Sequence, residues 1–189
     1  MNMAALQTEF AIPVLDGVMP HALLPMRHPE RQPPRFDIPM AWRHFIKFKE
    51  DTEQTNGVFC VFDALPWLGI AREAEAFLRP EKGRALYADE PFLPDLLDDH
   101  AALRRLPKGS LAHDYCDFME REGLRAATLV SETEAMQGGR QRHADRIQWY
   151  IDRQRDVHDL LHILTGYGRD NLGEQCVLAF VFNQRPSWG

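Results

Sequence analysis

Cysteine is scarce: Cys60, Cys116 and Cys176 are the three among 189 residues. They are odd in number and far apart, which excludes a disulfide framework and fits a reducing compartment. Long apolar runs are missing too. The greasiest stretch, Val58 to Gly69, is interrupted by Asp63 and Pro66 and falls short of the roughly 20 residues a membrane-spanning helix needs. No alternating pattern is long enough for a strand pair; Thr128-Leu129-Val130 is too short. Positive charge is the minority, with 22 Lys and Arg against 28 Asp and Glu and a net charge of -6. Without a basic stripe interleaved with aromatics, nucleic acid is excluded as a partner. Met1 to Met26 carries no basic leader ahead of an apolar segment, and Glu9 and Asp16 argue against a transit peptide.

The remaining composition, 44% hydrophobic and 26% charged, is that of a soluble globular domain. Residues 1–39 form an extended, Pro-rich arm, since Pro20, Pro25, Pro29, Pro33, Pro34 and Pro39 are too many for a helix. Residues 40–189 form an all-α, single-domain bundle. Trp42, Phe45, Ile46 and Phe48 make an apolar stripe. Asp51 or Thr52 caps a helix carrying Val58 to Leu65, which Pro66 ends. Further helical stretches are Ala71 to Leu78, Leu93 to Leu103, Ser110 to Arg121 with Gly123 as its stop, and one long helix from Arg142 to Thr165.

The most informative stretch is Val157-His158-Asp159-Leu160-Leu161-His162, with Glu174 further on. Residues three and four apart share one face of a helix, so His158, Asp159 and His162 converge. Two imidazoles at this spacing are half of a helical zinc site, which a later carboxylate can complete. Thr165-Gly166-Tyr167-Gly168-Arg169-Asp170-Asn171 reads as a helix stop and reversal that returns Glu174 from the start of the next helix. Satisfied core histidines, with Asp159 fixing their tautomer, are the bland alternative. A zincin-type peptidase is another, but it has Glu where this chain has Asp159, one methylene shorter. A His-Asp phosphohydrolase needs further ligands, and His100, His113 and His143 are not arranged to supply them. Arg155, one turn before His158, is a candidate anion clamp, against the plainer reading of an ion pair with Asp152 or Asp159.

Leu106-Pro107-Lys108-Gly109-Ser110-Leu111, Phe118-Met119-Glu120-Arg121-Glu122-Gly123-Leu124, Arg155-Asp156-Val157-His158-Asp159-Leu160-Leu161-His162 and Leu172-Gly173-Glu174 occur in that order. Together they resemble the coenzyme Q biosynthesis protein 4 family, over about Trp42 to Phe182. Asp51-Thr52 and Phe62-Asp63-Ala64-Leu65 resemble that family's early helix. Ser110 stands where the family usually has Thr, and the chain stops at Gly189 where the family usually continues, as in a short member or a truncated chain.

The resemblance implies an all-helical fold and a divalent metal on His158, Asp159, His162 and Glu174, with His158 and Asp159 as catalytic residues. Zinc is the first expectation, and iron or magnesium would also suit. It implies a hydrophobic tunnel for a polyprenylated quinone precursor, expected along Phe59, Phe62, Ile163 and Leu164, with Arg155 among the substrate contacts. Other ubiquinone-biosynthesis enzymes and a membrane surface, bound peripherally, are its implied partners, and a homodimer is allowed. The implied reaction replaces a ring carboxyl by hydroxyl; the alternative is a non-catalytic, lipid-binding assembly factor with a structural metal. The expected location is the bacterial cytoplasm, peripheral to the inner membrane.

Overall fold

The computed structural model describes residues 21–50, 61, 64–90, 92–136 and 142–184, without the side chains of 48–50, 132, 133, 135, 136 and 171. Its described residues are helical, with no strand among them. From residue 21 the described part of the arm carries a 3-10 turn, His21–Leu23, and is then irregular to residue 37. Its backbone finds partners in the body, since the carbonyls of Pro25 and Met26 accept from Arg146 N–H (3.0 Å) and Ile147 N–H (3.3 Å). Helix α1, Ile38–Glu50, begins one residue before Pro39. Asp37 Oδ1 accepts from Met40 N–H at 2.9 Å, and proline is tolerated in a first turn because its missing N–H has no helical partner there.

Helices α2, Ile70–Leu78, and α3, Glu81–Asp89, form a hairpin. The second was not expected: Pro80 does stop α2, but it also occupies the N-cap position of α3. The expected Leu93 to Leu103 segment is two short helices, α4 (Leu93–Asp98) and α5 (His100–Leu103). Asp99 divides them by accepting from Ala102 N–H at 2.9 Å. Helix α6, Leu111–Glu122, closes on Gly123 at φ 66°, a left-handed stop that favours glycine.

Helix α7, Ala126–Met136, contains Thr128-Leu129-Val130. Its first two N–H groups are taken by Asp98, 2.8 Å from Ala126 and 3.0 Å from Ala127, a cap supplied from another helix. The expected long helix from Arg142 to Thr165 is corrected to two: α8, Arg146–Asp156, and α9, His158–Thr165. Asp145 sets the start by accepting from Gln148 N–H at 2.8 Å. At Val157 the backbone has ψ -2°, far from the helical value of about -42°, and the ladder is interrupted there. Helix α10, Asn171–Gln184, follows a short loop.

Two apolar clusters hold these helices. Ala74, Leu78, Tyr87, Ile147, Trp149 and Tyr150 unite α2, α3 and α8. Leu93, Leu97, Tyr115, Phe118, Met119 and Ala126 unite α4, α6 and α7, with Leu160 and Ile163 of α9 packed against them. Each large side chain removed from water stabilises by about 1.5–3 kcal/mol. The second cluster therefore fixes α9, and with it the histidines, against α6.

Candidate metal centre

His158 and His162 stand one turn apart on α9, and their rings meet edge to face with centroids 4.8 Å apart. Their Nε2 atoms are 3.1 Å from each other. Glu174 comes from the first turn of α10, its Oε2 3.1 Å from His158 Nε2 and its Oε1 3.4 Å from His162 Nε2. One donor atom from each residue lies within 4.8 Å of the other two.

The turn that delivers Glu174 is built from local chemistry. Gly166, at φ 74°, ends α9 and gives its N–H to the His162 carbonyl at 2.8 Å. Asp170 then starts α10: its Oδ1 accepts from Leu172 N–H (3.0 Å) and Gly173 N–H (3.1 Å), and its carbonyl accepts from Glu174 N–H at 2.9 Å. A carboxylate taking the first free N–H groups of a helix is an ordinary N-cap.

The donor set fits a divalent cation. The Tyr167 carbonyl lies 3.1 Å from His162 Nδ1 and can only accept, so Nδ1 carries the proton and Nε2 presents its lone pair to the cluster. Separations of 3.1–3.4 Å are close to the ligand–ligand edges, about 3.3–3.6 Å, of a tetrahedral ion with bonds of about 2.0–2.2 Å. Burial would raise the Glu174 carboxyl, but the His158 hydrogen bond and the charges of His158, His162 and Arg169 outweigh it and hold the group below its ordinary range. It is kept as the anion a cation needs. His162 is 2% exposed beneath the Phe118 ring, which stacks nearly parallel to it at 12°. The His158 and Glu174 side chains are 30% and 36% exposed, so the cluster is closed beneath and open above.

Asp159 is not a member of the three-residue cluster. One residue along a helix turns a side chain by about 100°, and this takes Asp159 off the His158 face. It remains electrostatically close: burial raises its carboxyl, against the opposing charges of His158, Arg169 and His162. Arg155, expected to contact substrate, is instead committed to ion pairs with Asp156 (2.6 Å) and Asp152 (3.7 Å). The partners differ by one from the expected pair of Asp152 or Asp159. His100, His113 and His143 are engaged elsewhere, with Glu120, with the Arg104 and Leu106 carbonyls, and with the His28 ring.

Beside His162 opens a cleft of about 440 Å³, whose walls include Phe118, Arg121, Ile163, Tyr167 and Arg169. Of the expected tunnel residues, Ile163 lines this cleft while Leu164 is 63% exposed; Phe59 and Phe62 lie outside the described residues. With Asp114, Asp117 and Glu122 also in its walls, the cleft is as much charged as apolar. Sequence reasoning missed the Tyr167 carbonyl and the Phe118 ring, because neither a carbonyl's direction nor a cover from α6 leaves a mark in local spacing.

Residues 63–185 match the family described as Coenzyme Q (ubiquinone) biosynthesis protein Coq4. The chain belongs to that family. It is similar to the ubiquinone biosynthesis protein COQ4 homolog 2, mitochondrial, of Culex quinquefasciatus, 33% identical over 100 residues, or 53% of this chain and 42% of that protein. Homolog 1 of the same mosquito is 33% identical over 100 residues, covering 53% of this chain and 35% of its own length. The mitochondrial COQ4 of Podospora anserina is 28% identical over 113 residues, 60% of this chain and 35% of its own. The aligned part of this Coq4-family chain thus spans well under half the length of these relatives. No solved structure matches it. The expected bacterial location is overturned by the same relatives, which are named mitochondrial proteins of an insect and of fungi.

Proposed function

We propose that this member of the ubiquinone-biosynthesis family holds a divalent metal on His158, His162 and Glu174 and catalyses an oxidative decarboxylation. The substrate class is a polyprenylated hydroxybenzoate-type ring, whose carboxyl leaves as carbon dioxide while water supplies the hydroxyl that takes its place. Dioxygen accepts the two electrons, with two protons, and leaves as hydrogen peroxide. The observation that supports this most is the convergence of the three donors from two helices, with His162 held in its ligating tautomer by the Tyr167 carbonyl. Zinc suits two imidazoles and a carboxylate, and iron shares that donor set. When bound, such an ion with three protein ligands supplies open positions for oxygen donors and stabilises negative charge there.

The residues around it have defined tasks under this reading. Phe118 shields His162 from water, Asp159 raises the basicity of the neighbouring imidazoles, and the cleft beside His162 receives the ring. Asp159 is thereby moved from the ligand set to its surroundings, where such residues orient ligands. The partners proposed are the prenylated precursor and other enzymes of ubiquinone synthesis.

Rescue of a ubiquinone-deficient host lacking its own version of this protein tests the proposal. The wild-type chain restores quinone, whereas Glu174→Gln accumulates as folded protein, restores none and leaves a carboxylated prenyl intermediate behind. Full rescue by Glu174→Gln would transfer the protein to the assembly-factor class.

A further inference from the structure

Two arginines reach the cleft beside His162, and they differ in what their guanidinium groups hold. Arg121 gives its Nε–H to Glu122 Oε1 at 3.1 Å and lies over the Phe118 ring, 5.4 Å from its centroid. Arg169 brings Nη1 only to 3.7 Å from Glu122 Oε2, beyond the reach of about 3.2 Å typical of an N–H···O hydrogen bond. Its side chain is 41% exposed. Arg104 and Arg155, by contrast, are fixed on carboxylates at 2.7 and 2.6 Å.

The backbone of Arg169 is nonetheless held. Gly168 before it lies against Gly173 without room for a β-carbon, and Asp170 after it caps α10. Its charge reaches Glu174 and Asp159, and it shares the cleft wall with His162. The acids of that wall do not cancel it. Asp117 is taken by Arg104 and Glu122 by Arg121, while Asp114 stands about 12 Å from Glu122 along α6 at 1.5 Å per residue.

We propose that Arg169 grips the ring carboxylate of the substrate and so selects the carboxylated ring over its decarboxylated product. A guanidinium presents paired N–H donors that match the two oxygens of a carboxylate, and a ring carboxyl is ionised near neutrality whereas a phenol is not. The inference rests on the decarboxylation reading above and adds its specificity. Once the carboxylate is replaced by a neutral hydroxyl, the contact with Arg169 is lost and the product leaves.

Ligand titration of the full chain, purified without chelators, tests this with 3-geranyl-4-hydroxybenzoate and with 2-geranylphenol, its carboxyl-free counterpart. The wild-type protein should bind the acid at least about tenfold more tightly, the scale of a hydrogen bond to a charged group. Arg169→Gln should bind both alike. Arg169→Lys should keep part of the preference, since the charge stays and the fork is lost. Metal content should match wild type in both variants. No binding or no preference in wild type, a preference kept in full by Arg169→Gln, or loss of metal from Arg169→Gln would each overturn the assignment. Failure of the decarboxylation reading has a different signature: Glu174→Gln restores quinone while the preference that depends on Arg169 persists.

Discussion

The Gly173 backbone lies against the carbonyl of Gly168, with no space between them for a β-carbon. This contact folds the loop after α9 onto the first turn of α10, one residue before Glu174. The cluster of His158, His162 and Glu174 is therefore assembled by a close approach of two backbone segments, and the side chains follow.

Gly173→Ala should force the two segments apart, costing about 1–3 kcal/mol as overpacking does and lowering metal content. Gly166→Ala is the control. Its position has open space around it but a positive φ of 74°, so the cost is about 1 kcal/mol and metal is retained. Thermal unfolding with metal analysis checks both. A Gly173→Ala protein with wild-type melting temperature would refute the close-approach account.

Metal analysis of protein purified without chelators or added metal should separate ligands from neighbours. His158→Ala, His162→Ala and Glu174→Gln should lose stoichiometric metal. Asp159→Asn should keep it with affinity lowered by about 10–100-fold, the usual cost of disturbing a ligand's surroundings. Complete loss of metal in Asp159→Asn would make Asp159 a ligand after all.

Arg31 joins the arm to Asp145 by contacts of 2.6 and 2.8 Å, and the Asp145 side chain is wholly buried. Burial alone would raise this carboxyl, but Arg31 and the N–H groups of His28 and Gln148 together hold it below its ordinary value. A carboxyl depressed in the folded state gives stability that is present above its ordinary pKa, near 3.8, and is lost as pH falls through the folded value. Arg31→Ala should cost about 3 kcal/mol near neutrality, the low end for breaking a buried pair, since two backbone donors remain. In Asp145→Asn the melting temperature should be lower near neutrality and fall less steeply below about pH 4. Parallel curves for wild type and Asp145→Asn would contradict this.

Arg155→Ala should destabilise by about 3 kcal/mol, because it strands the buried Asp156 carboxylate without its guanidinium. Metal content and quinone synthesis at a permissive temperature should persist. An unchanged melting temperature combined with lost quinone synthesis would return Arg155 to the substrate contacts.

Much of the fold is legible in the chain. Gly123 and Gly166 announce helix ends because only glycine takes those left-handed backbone angles without strain. The apolar periodicity of Leu111 to Glu122 likewise announces α6. Helix α7 was hidden, since its cap comes from Asp98 at 28 residues' distance. The Val157 break was hidden as well, because nothing in Arg155 to Asp159 departs from helical composition.

The candidate site divides along the same line. Spacing alone determined that His158 and His162 share a helical face, and the glycines with Asp170 determined that the chain reverses before Glu174; these are consequences of local backbone geometry. Only the tertiary structure decided that the Tyr167 carbonyl sets the His162 tautomer and that Arg155 is held by Asp156. Those outcomes depend on where a side chain points after packing and which partner reaches it first, and neither is a property of the sequence neighbourhood.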